Sequence, residues 1–141
     1  MENGFPSVRL VELKPEEFQQ YLDLFARGSL GHATPPENVA EMANWQNEFG
    51  NKYFVVKTLQ EHSGIPSDSQ IGVCGIRIRG NKAYLFNQYV VPNARRFGFG
   101  TAILKELEKF AKANGAKFTE AYVYWKYWGQ IKRILKQGYK P

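Results

Sequence analysis

Apolar and polar positions change period several times along the chain, and each change predicts an element. Val8, Leu10 and Leu13, with Arg9 and Glu12 between them, predict a first strand, which Lys14-Pro15 breaks. Proline suits a first helical position, and behind it Phe18, Tyr21, Leu22 and Phe25 share one helical face. Gly28, Gly31 and Thr34-Pro35-Pro36 predict a loop. There Thr34 is the expected cap of a second helix carrying Val39, Met42, Trp45 and Phe49. Gly50-Asn51 ends that helix, and Tyr53 to Lys57 has the β-branched and aromatic content of a second strand. The polar stretch Gln60 to Gln70 reads as a loop, Ile71 to Arg79 as a third strand, Gly80-Asn81 as a hairpin turn and Ala83 to Val91 as a fourth strand.

Pro92 cannot donate to a strand ladder, so the fourth strand should end there. A basic, glycine-containing turn comes next, and then Ile103, Leu104, Leu107, Phe110 and Ala111 recur at helical spacing until Asn114-Gly115 supplies a stop. Ala116 to Trp125 alternates as a fifth strand, with Glu120, Tyr122 and Tyr124 on one face and Ala121, Val123 and Trp125 on the other. Strand, helix and strand of these lengths imply a parallel pairing with a right-handed crossover. A last helix, Lys126 to Gln137, is expected to bury Trp128, Ile131 and Leu135.

The candidate chemistry lies in the turn Arg95-Arg96-Phe97-Gly98-Phe99-Gly100-Thr101. A helix that begins behind glycines offers unpaired N–H groups and the positive end of its dipole, and Arg95 and Arg96 add formal charge beside it. That combination suits phosphate; the plainer alternative is a tight strand-to-helix connection with solvated arginines. It is not the dinucleotide fingerprint, because the third glycine and the later acidic residue are missing, and no Gly-Lys-Ser/Thr is present to make a nucleoside triphosphate loop. The order R-x-x-G-x-G, preceded by Val90-Val91-Pro92 and leading into a long helix, resembles the acetyl-coenzyme A motif of the GNAT N-acetyltransferase superfamily.

That resemblance implies an α/β fold, a mixed and centrally splayed β-sheet flanked by helices, over a single domain of residues 1–141. It implies acetyl-CoA as cofactor: main chain at Tyr89, Val90 and Val91 for the pantetheine arm, and Arg95, Arg96, Phe97, Gly98, Phe99, Gly100 and Thr101 for the pyrophosphate. By the same resemblance an amine acceptor is selected around Gly28 to Glu41 and attacks the thioester directly. Two departures stand out. The family commonly carries glutamate or histidine on its fourth strand, where this chain has Tyr84, Phe86 and Asn87, and commonly a tyrosine at the position of Ile134. The expected substitutes are Tyr124 as acid and, as base, Glu120 or a water held by Gln88. The family also usually continues through two more strands, which predicts an exposed sheet edge covered in a homodimer, or an unusually minimal domain.

Composition narrows the remaining options. A hydrophobic share of 43% and an aromatic share of 15% exclude disorder, and no apolar run is long enough to span a membrane. The start lacks the regions of a signal peptide, and one cysteine, Cys74, cannot form an internal disulfide, so the expected compartment is the cytoplasm. Cys74 reads as a small buried hydrophobe and His62 as a solvated loop residue, since no metal-like spacing links His32, His62 and Cys74; no metal is expected. A net charge of +6, with Lys126, Lys132, Arg133, Lys136 and Lys140 near the end, suits an acidic ligand such as coenzyme A, or nucleic acid. The alternative to an enzyme is a GNAT-like binding protein that has lost turnover and acts on a protein or nucleic-acid partner. Clustered acids are few, Glu37 and Glu41 being the exceptions, which argues against a polycationic acceptor.

Overall fold

In a computed structural model, residues 5–28, 39–121 and 128–140 are described, apart from the side chains of Asn87, Trp128, Gln130 and Arg133. The elements are β1 (Val8–Glu12), α1 (Phe18–Gly28), α2 (Val39–Phe49), β2 (Lys52–Thr58), β3 (Gln70–Arg79), β4 (Lys82–Val90), α3 (Phe99–Ala113), β5 (Phe118–Ala121) and α4 (Trp128–Lys136). Among the described residues they form one five-stranded mixed sheet in the order β1-β2-β3-β4-β5. The first four strands are antiparallel, and β5 pairs parallel to β4. Pro15 opens a single 3-10 turn, Pro15–Glu17, and α1 begins only behind it.

Alternation along the strands divides the core in two. On one face Val8, Phe54, Val56, Cys74, Ile76, Ala83 and Leu85 pack against the apolar stripe of α3, which buries Phe99, Ile103, Leu104, Leu107 and Ala111. On the other, Leu13, Tyr53, Val55 and Val73 meet Phe18, Phe25 and Met42 from α1 and α2. Tyr53 makes T-shaped ring contacts with Phe18 and Phe25 at 5.4 and 5.1 Å between ring centroids. Cys74 is fully buried, and that burial pushes its thiol well above the ordinary range. No helix among the described residues is long and apolar enough to cross a membrane, and no cluster of His, Cys, Asp and Glu there could hold a metal ion.

The final helix differs from expectation. Ile134 is 6% exposed and joins the α3 core, whereas Leu135, expected inside, is 41% exposed. The two lie one helical step apart, and the helix is turned so that Ile134 meets the core. Trp128 lies among the side chains outside the description. Behind α4, the Tyr139 hydroxyl accepts from Thr119 Oγ1 at 3.0 Å and donates to Glu108 Oε2 at 3.1 Å, tying the carboxyl end to both β5 and α3.

The register of β3 against β4 slips between Val73 and Gly75. Val73 faces Tyr89 and Gly75 faces Phe86, so β4 spends one residue more than β3 across this interval, at Asn87-Gln88 opposite Cys74. Such a bulge bends the strand and re-aims the residues beyond it. Beside it Gly72 lies so close that an added Cβ would collide with the Tyr89 carbonyl oxygen. Gly72→Ala should therefore cost about 1–3 kcal/mol, read as a lower denaturant midpoint with an unchanged slope. A second test concerns Tyr139. Its loss of solvent, with Glu108 beside it, raises the hydroxyl from 10.0 to about 12, so its stabilisation is complete below pH 10 and lost as pH rises through about 12. The Tm gap between wild type and Tyr139→Phe should close across that window.

Candidate functional site

The turn after β4 is built from its backbone outward. Val91 N–H makes the last tie to β3, donating to Ile71 O at 3.0 Å, and Pro92–Ala94 then form a single 3-10 turn that buries Ala94. Arg96 and Gly98 take left-handed conformations, φ +72 and +90 respectively, reversing the chain into α3. The first helical bond runs from Ala102 N–H to Gly98 O at 3.1 Å, and no side chain caps the helix. The amides of Phe99, Gly100 and Thr101 thus stand at the positive end of the α3 dipole. Gly100, expected in the turn, lies inside the first turn of α3. The Phe99 and Thr101 side chains are buried, so what these residues can offer a ligand is their main chain.

Arg95 is exposed and folds back over the strand that precedes it. Its Nε donates to Val90 O at 2.9 Å, and its guanidinium carbon lies 5.3 Å from the centroid of Tyr89. This places Tyr89, Val90, Val91, Arg95, Arg96, Phe97 and Gly98 around one turn. Gln88 is half-buried at the bulge, and its amide has no protein partner among the described residues. Tyr89 packs against the core cluster that contains Phe18 and Phe25 of α1, so the helix that precedes the expected acceptor loop abuts the same end of β4.

The remaining candidates fall elsewhere. Glu120 faces Tyr84 across the β4–β5 pairing, four residues along β4 from Gln88, and its Oε1 is held by Lys82 Nζ at 2.8 Å. That is roughly 10 Å or more of strand away from the bulge. Tyr124 lies outside the described residues, as do Tyr122, Trp125, Tyr127, the expected cap Thr34 and residues 29–38 of the expected acceptor loop. The described β4–β5 pairing runs from Lys82↔Phe118 to Leu85↔Ala121, which leaves Phe86 to Val90 beyond its last pair.

One contributor went unforeseen. His62, expected to be solvated, is half-buried, and its Nε2 meets the Phe97 carbonyl oxygen at 3.2 Å while its ring stands edge-on to Phe99 at 5.7 Å. For this bond Nε2 must carry the proton. The loop holding it is stiffened by reciprocal bonds between His62 and Ile65, at 3.0 and 2.9 Å, and by Gly64 N–H donating to Glu61 Oε1. Because the peptide is planar and trans, a Phe97 carbonyl turned to His62 sends the Gly98 N–H the opposite way. The contact spans 35 positions, and no local pattern announces it.

The motif, the uncapped helix and the bulged strand beside a parallel neighbour belong to a known class. Residues 12–124 match the family described as "Acetyltransferase (GNAT) family". The chain is a member of that family, whose members transfer acyl groups from acetyl-CoA. No curated protein sequence matches it. Among solved structures, a predicted acetyltransferase from Clostridium acetobutylicum crystallised with acetyl-CoA is 13% identical, with a TM-score of 0.66 over 95% of this chain and 90% of its own. The dodecameric spermidine N-acetyltransferase from Vibrio cholerae is 16% identical, with a TM-score of 0.67 over 95% and 80%. Glucosamine-6-phosphate N-acetyltransferase from Arabidopsis thaliana is 11% identical, with a TM-score of 0.64 over 96% and 92%. At these identities the likeness shows the fold.

His62→Ala should weaken acetyl-CoA binding about fivefold, the scale of one net hydrogen bond, without lowering the affinity of a subsequently bound acceptor. His62→Gln, which keeps a side-chain N–H, should recover part of the loss in the same calorimetric titration.

Proposed function

We propose that the protein is an acetyl-CoA-dependent N-acetyltransferase acting on an amine by direct attack. The observation that carries this reading is the uncapped start of α3, reached through left-handed Arg96 and Gly98, immediately behind a bulged β4. Arg95, Arg96 and the amides from Phe97 to Thr101 would take the pyrophosphate, and the main chain of Tyr89, Val90 and Val91 the pantetheine arm. A main-chain N–H near Val90 would polarise the thioester carbonyl. The amine lone pair attacks the carbonyl carbon, the carbon–sulfur bond breaks, and the coenzyme thiolate takes a proton as the amine sheds one.

The proton partners are also part of the proposal. The Gln88 amide, without a protein partner among the described residues, supports a bound water that relays the amine proton to solvent, and Tyr124 is assigned to protonate the thiolate. Glu120 receives no step, because Lys82 holds it away from the bulge. Ile134 is buried and has no hydroxyl to offer in the tyrosine's place. Phe118 on β5 at 60% exposure and Leu135 on α4 at 41% are exposed large apolar side chains among the described residues and support a homodimer, and acetyl-CoA use supports a cytoplasmic location.

Calorimetric titration tests the core of the reading. Acetyl-CoA should bind the wild type at micromolar affinity and fail to bind Arg95→Ala/Gly98→Trp, in which the charge is lost and a side chain is forced onto a backbone at φ +90. No heat with the wild type would remove the transferase reading.

A further inference from the structure

Two consecutive peptides at the end of β4 turn the polar atoms of Val90 the same way. Val91 N–H donates to Ile71 O of β3 at 3.0 Å, and because that peptide is planar and trans, the Val90 carbonyl points away from β3. The Tyr89 carbonyl lies against Gly72 of β3, which by the same rule turns the Val90 N–H outward as well. Val90 thus presents an acceptor and a donor on the side where the described pairing with β5 has already stopped, at Leu85↔Ala121. An outward N–H and carbonyl on one residue are what a strand edge uses to take up an extended amide chain.

Arg95 already holds one of these two groups. Its Nε donates to Val90 O at 2.9 Å while its guanidinium carbon lies 5.3 Å from the centroid of the Tyr89 ring. Val90 packs against the α3 core and Tyr89 against the α1 and α2 core. A guanidinium bonded at the strand edge and set against Tyr89 therefore lies across that edge, where an extended chain would have to run. The contact is exchangeable, because Arg95 is exposed. A guanidinium meets a neutral carbonyl at one point but a phosphate at two and with opposite charge, so phosphate is the stronger partner.

We propose that Arg95 selects the acyl donor: it competes with the pantetheine arm for the Val90 carbonyl, and the pyrophosphate of coenzyme A draws it off. The proposal rests on the transferase reading and adds a second duty to a residue that reading assigns to phosphate alone. A thioester carried on pantetheine without phosphate has to displace Arg95 with nothing offered in return, so it is discriminated against at the strand and not only at the turn. An Arg95 that merely binds phosphate predicts no change in the binding of such a thioester when it is replaced. An Arg95 that merely pins the turn to β4 predicts the opposite sign, since its loss loosens the seat for every donor.

The experiment titrates acetyl-CoA and S-acetylpantetheine calorimetrically into wild type, Arg95→Ala and Arg95→Met, the last of which keeps an apolar chain beside Tyr89 and removes the donor. Both substitutions should weaken acetyl-CoA and tighten S-acetylpantetheine, each by about fivefold, the scale of one net hydrogen bond. Binding of S-acetylpantetheine detected in the two variants and not in wild type counts as the same result. Binding that is unchanged or weaker in Arg95→Ala, or undetected in all three proteins, overturns the proposal. So does an acetyl-CoA affinity that fails to fall. A gain in Arg95→Ala that Arg95→Met does not share overturns it too, because the bulk of the side chain and not its bond to Val90 would then be the obstacle. Failure of the wild type to bind acetyl-CoA would instead strike the transferase reading beneath it.

Discussion

The extra residue that β4 carries opposite Cys74 is the constraint to which the functional end of the molecule answers. Up to Phe86 the strand is an ordinary rung of the sheet, paired to β3 on one side and, as far as Leu85, to β5 on the other. Past that interval its facing changes, Gln88 is left half-buried without a protein partner among the described residues, and the strand delivers Pro92 to the turn that starts α3. The neighbouring strand accommodates this through the absence of a side chain at Gly72. Without that concession β3 could not lie against the distorted segment, and the turn would lose the base from which it projects.

Around this strand the two faces of the sheet take separate duties. The α3 face is apolar almost throughout and fixes the helix whose uncapped start is proposed to take the pyrophosphate. It also receives the β2–β3 loop, whose His62 holds the Phe97 peptide from below. The α1 and α2 face contains the polar chain from Tyr53 through Asn51 to Arg77 and the aromatic pair Phe49 and Phe86. Charge sits differently on the two sides as well. Arg95 is exposed and folded over its own strand, whereas Arg77 is half-buried and held by Asn51.

How much could be foreseen from the residues depends on the range of the forces involved. Strands and helices were legible because alternation and helical spacing are local, and the R-x-x-G-x-G turn was legible because left-handed backbone favours glycine. At Arg96, a non-glycine residue takes φ +72, which the sequence did not announce. The orientation of α4 was not legible, since Ile134 and Leu135 are neighbours of nearly equal apolarity and only the tertiary surroundings choose between them. Nor were the contacts of His62 with Phe97 or of Arg77 with Asn51, which join residues 35 and 26 positions apart. Glu120 looked suited to proton transfer on its strand face, but Lys82, 38 positions earlier, claims it.

The burial of Cys74 bears on the fate of the acyl group. It is the chain's single cysteine, it lies inside the sheet at the level of the bulge, and its thiol is held protonated by its surroundings. An enzyme working beside a reactive thioester risks capturing the acyl group on its own sulfur, which would turn a direct transfer into a two-step relay and leave the protein modified. Here the cysteine sulfur has neither access nor thiolate character, so the folded protein is a bystander to thioester exchange.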